Sequence, residues 1–238
     1  AMPPTGTLSP SQEATVADAE PSAAGEAQQE AEQSEASQAA FTAWEQSMRD
    51  DGVVTWEPLT PVGVEVKDGV DLRIQKEGIL YAKGVTPDKT DYVIKLPGQK
   101  KPLTGLRIET IPDASLPSGG AGRSDSGNAV LTRIRLQQGA EEIALSAASA
   151  DYTQGSFSPN GVLDQDDNTG WAFYPDTNHP HNLVLQTASP VLNPEATPLT
   201  LTIEFRSQHK AHQLGKFRIS ATTSGQPALS ARAFQVPN

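Results

Sequence analysis

The feature that most constrains this chain is the change of hydrophobic period at Gly52. Beyond it the sequence breaks into short runs rich in Val, Ile, Thr and Leu, separated by Pro, Gly, Asp and Asn. In LRIETI, Leu106, Ile108 and Thr110 alternate with Arg107, Glu109 and Ile111; in LTIEF, Leu201, Ile203 and Phe205 alternate with Thr202 and Glu204. A period of two with one apolar face describes a strand packed on one side only. Such runs predict strands at Val53–Trp56, Val64–Val66, Asp71–Gln75, Ile79–Ala82, Tyr92–Leu96, Leu103–Ile111, Ala129–Leu136, Ile143–Leu145, Leu183–Gln186, Leu199–Arg206, Lys216–Thr222 and Ala231–Val236. With no helical crossovers between them, these strands predict an antiparallel β-sandwich. The stretch 52–238 has the size of one domain rather than two.

Upstream of Gly52 the composition differs. Residues 1–25 are rich in Pro, Gly, Ser, Ala and Glu without periodicity, which predicts a flexible, disordered acidic linker. The opening Ala-Met has neither the charged nor the apolar region of a signal peptide and reads as an expression remnant. Over residues 26–51, Ala, Gln and Glu favour helix, and Ala40, Phe41, Trp44 and Met48 recur on one face. One amphipathic helix is expected there, with Trp44 used for packing.

Charge and composition exclude several functions. Residues 1–51 hold ten acidic side chains against Arg49 alone, whereas residues 52–238 hold nineteen acidic and seventeen basic ones. A nearly neutral body behind an acidic leader offers no basic field for nucleic acid or anionic lipid. No apolar run is long enough for membrane insertion. The chain has no Cys, so disulfides, thiolate metal sites and a Cys nucleophile are ruled out.

Two long irregular segments interrupt the strands, Pro112–Asn128 and Asp151–His181. Loops of that length in a compact domain are commonly either functional or disordered. The first is glycine-rich and carries Arg123 and Asn128, but lacks a phosphate-loop pattern. Either Arg123 pins the loop through its hydrogen-bond fork, or Arg123 and Asn128 contact a ligand. The second contains VLDQDDNTGW, where Asp164, Asp166, Asp167, Asn168 and Thr169 place hard oxygen donors close together before Gly170 and Trp171. Ca²⁺ takes six to eight such oxygens, some from backbone carbonyls. EF-hand spacing is absent, and the alternative is a solvated acidic loop.

The segment ALSAASADYTQGSFSPNGVLDQDDNTGWA resembles the opening of discoidin-like (coagulation-factor C-type) jelly rolls and related carbohydrate-binding modules. In those families an Ala/Ser strand leads to an Asp, then a Thr five residues on and a Trp two further, as Asp164, Thr169 and Trp171 stand here. The resemblance implies a structural Ca²⁺ held by the side chains of Asp164 and Thr169, a carbonyl of Asp166 and a carbonyl from the Ala/Ser strand. The family's C-terminal Glu ligand has no counterpart, since the last acidic residue is Glu204. A wider likeness runs through WEQSMRDDGVVTWEPLTP, LRIETIPDASLPSGGAGR, SGNAVLTRIRL, SADYTQGSF, DNTGWA and LGKFRISATT. In that order they are similar to the β domain of large planctomycete envelope proteins, which often carry a c-type cytochrome segment. The chain departs from that pattern at GAGR and SGNA, where a Pro and an aromatic are missing. This likeness implies a polysaccharide-binding module of a larger protein, placed in the periplasm, in the cell envelope or outside the cell.

Sugar binding uses an aromatic face ringed by polar groups on long loops. Trp171, Tyr174, His179 and His181, with Tyr152 and Phe157 upstream, form the aromatic-rich loop cluster. Trp171 could instead begin a strand and fill the core. His209 and His212 form an HxxH without a nearby carboxylate and read as a solvated loop. Glu109 with Asp113 is the candidate carboxylate pair for glycoside hydrolysis, and no nucleophile motif stands out.

The expected domain is thus a mainly β, jelly-roll or discoidin-like sandwich that binds polysaccharide without catalysis. Its expected ligand residues are Trp171, Tyr174, His181, Tyr152, Arg123 and Asn128, and its expected Ca²⁺ residues are Asp164, Asp166 and Thr169. The alternatives are a docking module for neighbouring domains of a cytochrome-linked complex and a polysaccharide lyase or hydrolase.

Overall fold

The computed structural model describes residues 54–193 and 195–230. The helix expected over residues 26–51 and the strand expected over Ala231–Val236 lie outside them. The described residues form strands β1 (Glu57–Pro58), β2 (Gly63–Val66), β3 (Val70–Ile74), β4 (Leu80–Gly84), β5 (Thr90–Leu96), β6 (Leu103–Thr110) and β7 (Val130–Leu131). They continue with β8 (Arg133–Gln138), β9 (Glu141–Ile143), β10 (Leu145–Ala150), β11 (Trp171–Ala172), β12 (Asn182–Val191), β13 (Leu199–Phe205) and β14 (Lys216–Thr222). Among these residues no helix is long and apolar enough to cross a membrane.

All pairings are antiparallel. One sheet runs β10-β12-β6-β14-β4-β3, with β1 added to β14, and a second runs β2-β5-β13-β8-β9. A small ribbon pairs β11 with β7. The period-two pattern explains how the sheets meet. Leu106, Ile108, Leu183, Leu185, Phe217 and Ile219 of the first sheet join Tyr92, Ile94, Leu136, Leu201, Ile203 and Phe205 of the second in one core. Tyr92 bridges them, stacking on Phe217 at 6.2 Å and meeting Phe205 edge-on at 4.8 Å. Burial pushes its phenol up to about 12, and the hydroxyl donates to the Leu214 carbonyl at 3.0 Å. The architecture is mainly β and sandwich-like.

Several predicted boundaries move for local reasons. The run Ala129–Leu136 splits at Thr132, whose N–H and hydroxyl both donate to the Glu204 carbonyl, so β7 leaves to pair with β11 while β8 joins β13. The strand expected at Val53–Trp56 lies instead at Glu57–Pro58. Ile143–Leu145 is the junction between β9 and β10, not a strand of its own.

Candidate functional site

The two long loops are stitched together at one end of the sandwich. Asn128, 3% exposed, donates to Gln154 Oε1 at 3.0 Å and accepts the Phe173 N–H at 3.2 Å. The Thr177 hydroxyl donates to the Ser126 carbonyl at 3.2 Å. Arg123 is buried, its Nη2 donating to the Gly84 carbonyl at 2.8 Å and its backbone N–H to Gln213. Arg123 and Asn128 therefore brace the loops from inside and present no side chain to an external ligand.

Trp171 is also internal. It starts β11, is fully buried, packs on Phe173 at 5.4 Å and donates its indole N–H to the Tyr152 carbonyl at 2.9 Å. A sugar ring cannot stack on its face. Tyr174, which follows β11 and the buried Phe173, is 48% exposed. It opens a loop, Tyr174–His181, whose base is held by a clamp around His181.

That clamp joins residues far apart in sequence. The His181 ring is stacked on Tyr152 at 4.9 Å, its Nδ1 lies 3.6 Å from Asp151 Oδ2, and its Nε2 lies 2.6 Å from the Asp176 carbonyl. Asp176 also pairs with His179. Burial opposes the imidazolium, but the hydrogen bonds and charges of Asp151 and Asp176 outweigh it and hold the His181 pKa above its ordinary value. Burial likewise acts to raise Asp151, yet bonds from His181 and from the N–H groups of Asn182 and Tyr152 hold it low. Of the predicted ligand residues, Tyr174 is exposed and Tyr152 is partly buried, whereas His181, stacked on Tyr152, is buried at 4% exposure, and Trp171, Arg123 and Asn128 are buried as well.

The acidic loop follows a 3-10 turn, Pro159–Leu163. The Thr169 hydroxyl sits 2.8 and 2.9 Å from the two carboxylate oxygens of Asp164, 2.9 Å from the Asp166 carbonyl and 3.3 Å from the Gly161 carbonyl. One hydroxyl hydrogen serves one acceptor well, so four oxygens around it form an acceptor-rich knot. Beside the Asp166 carbonyl, the second carbonyl at Thr169 comes from Gly161 in the 3-10 turn and not from the Ala/Ser strand β10. The Asp166 side chain turns away and accepts from Asn168, which lowers its pKa. Among the described residues, no cluster of three or more His, Asp and Glu side chains is poised for a metal. The donor set at Thr169 is one carboxylate, one hydroxyl and carbonyls, a mixture that suits a hard cation.

The candidate hydrolytic carboxylates are both engaged. Glu109 accepts from Arg218 at 2.5 Å, and Asp113 accepts from Lys216 at 2.6 Å and from Ser115. The Lys216 and Ser115 bonds hold Asp113 well below the usual carboxylate range. His209 and His212 lie in a loop, 5.5 Å apart between ring centres, with His209 beside Phe157.

Sequence reasoning missed Asp151 as a partner of His181, because a loop closure of thirty residues brings them together, and Asp176, five residues before His181, because an irregular turn carries no periodic signal. It also missed the charged face built from Arg133, Arg135, Glu204 and Arg206. The signal for that face was present in the alternation of RIR and EFR. The sequence matches no protein-family model and no curated protein.

Proposed function

We propose that this domain is a non-catalytic polysaccharide-binding module of the discoidin-like, jelly-roll type, working within a larger envelope or secreted protein. The observation that carries the reading is the exposed ring of Tyr174 on a loop clamped at its base by Asp151, Tyr152, Asp176 and His181. A pyranose ring stacks on such an aromatic face, and Asp176, Asn178 and His179 supply hydrogen bonds at its edge. Holding the loop in place before the ligand arrives reduces the ordering cost of binding. Pairing of Glu109 with Arg218 and of Asp113 with Lys216 supports binding without hydrolysis.

A structural Ca²⁺ belongs to the same proposal. Asp164 and Thr169 would hold it through side chains, and Asp166 and Gly161 through carbonyls. The ion would supply charge neutralisation to a loop that crowds Asp164, Asp166 and Asp167. The chain's own contribution is to aim these oxygens at one point directly before the buried Trp171.

Affinity electrophoresis through gels containing neutral, uronic and sulfated polysaccharides, run with Ca²⁺ and again with EDTA, tests the proposal. Retardation by one or more glycans that weakens in EDTA is the expected result. Unretarded migration through every glycan would overturn it.

A further inference from the structure

On the outer side of the five-stranded sheet, period-two alternation builds a charged array from two short motifs. β8 pairs with β13 so that Arg133 stands opposite Glu204 and Arg135 opposite Thr202. Ile134, Ile203 and Phe205 point into the core, so Arg133, Arg135, Glu204 and Arg206 share the other face. A glutamate on an outer sheet face is ordinarily solvated, yet the Glu204 side chain is 1% exposed. Three guanidiniums cover it. Arg135 lies 2.8 Å from Oε1, Arg206 3.2 Å from Oε2 and Arg133 3.8 Å from Oε2. Arg206 also makes a two-pronged pair with Asp91 at 3.0 and 2.5 Å, and Arg133 donates to the Asp164 carbonyl at 3.1 Å.

The array is left with donors to spare. Its three guanidiniums face Glu204 and Asp91, and the Asp167 carboxylate also acts on Arg206, so the formal charges balance and the spare capacity lies in unpaired N–H groups. Arg133 Nη2, Arg135 Nη1 and Arg206 Nη1 have no hydrogen-bond partner among the described residues. Arg135 and Arg206 are 41% and 42% exposed, so these donors reach solvent. An open groove of about 730 Å³ continues from Arg206 and Asp91 past Lys89 toward Glu65, Lys67 and Asp68, so basic and acidic side chains alternate along it. A guanidinium held by a buried carboxylate is a pre-oriented fork, and a fork matches a carboxylate or sulfate group.

We infer that this arginine array is a second glycan contact, one that reads the carboxylate or sulfate groups of an anionic polysaccharide. The inference rests on the polysaccharide-binding reading above and names the class of glycan. Because the chain as a whole carries a net charge of −11, the attraction is local and screened by salt.

The test is affinity electrophoresis in Ca²⁺ through polygalacturonate, a sulfated galactan and a neutral glucomannan, at low and high salt. Wild type is compared with an Arg135→Gln/Arg206→Gln double variant whose fold is checked by thermal unfolding. Stronger retardation by an anionic glycan than by the neutral one is expected, falling at least about fivefold in the double variant and at high salt. The polyuronate and the sulfated galactan separate carboxylate from sulfate recognition. Should the double variant fail to fold, Arg135→Lys/Arg206→Lys keeps the charge but removes the fork, and is expected to lose most of the same retardation. Retardation by the neutral glycan alone, or anionic retardation that survives in a folded variant, overturns this inference and leaves the polysaccharide-binding reading standing. No retardation by any glycan overturns both.

Discussion

The indole of Trp171 donates to the backbone carbonyl of Tyr152 at 2.9 Å, linking the base of the exposed loop to the centre of the core. Trp171 fixes Tyr152, Tyr152 stacks on His181, and His181 holds the segment that presents Tyr174. The buried aromatic thus positions a binding surface that it does not itself form.

Replacing Trp171 is accordingly expected to act on stability. Trp171→Ala removes a fully buried side chain and should cost about 3–5 kcal/mol. Trp171→Phe keeps part of the volume and loses the bond to Tyr152, a smaller cost that includes about 1 kcal/mol for that bond. Urea unfolding measures both, and equal, small losses would contradict a core role.

Gly170 is required by geometry. Its φ is +132°, and an added Cβ would lie 2.1 Å from the Leu131 carbonyl oxygen. Gly170→Ala is therefore expected to destabilise the domain by at least about 1–3 kcal/mol and to displace Thr169 from Asp164. A native unfolding midpoint in this variant would show that the turn has another way to close.

Stability should peak in mildly acidic solution. His181 has a raised folded pKa, so its contribution is complete below about 6.5, the unfolded value, and is lost as pH rises through the folded value. Asp151 and Asp113 have lowered folded pKa values, so theirs are complete above about 3.9 and are lost as pH falls through the folded values. The urea midpoint from pH 3 to 9 should therefore fall on both sides. His181→Gln should flatten the alkaline limb and Asp151→Asn the acid one. An alkaline limb unchanged in His181→Gln would contradict the clamp.

Ca²⁺ should raise the melting temperature. A ligand present at one hundred times its Kd stabilises by about 2.7 kcal/mol, which for a domain of this size is a rise of about 5–10 °C. Thr169→Val and Asp164→Asn should abolish the rise while leaving the EDTA-treated protein folded. A rise that persists in both variants would place the ion elsewhere.

The sandwich was legible because apolar alternation is a local signal: Leu106 and Ile108, or Leu201 and Ile203, announce a buried face without reference to any partner. Alternation alone missed β10, because LSAASA carries little strand preference and is held by its pairing with β12; only the family likeness pointed to an Ala/Ser strand there. β11 is two residues long, shorter than any periodic signal. The Asp164–Thr169 knot was readable, being contained in six residues. The His181 clamp was not, since Asp151 approaches it only when the loop closes. Nor was the caging of Glu204, which depends on the register of β13 against β8.

The measurement that tests the account most directly is the affinity of the intact chain for the polysaccharide that retards it, compared with that of Tyr174→Ala. Tyr174 is 48% exposed and its side chain makes no hydrogen bond or ring contact among the described residues, so the variant should unfold close to the wild-type temperature and bind at least about tenfold more weakly, the loss of one stacking contact of about 1.4 kcal/mol. Unchanged affinity in the folded variant would contradict the assignment of this loop as the sugar-binding surface.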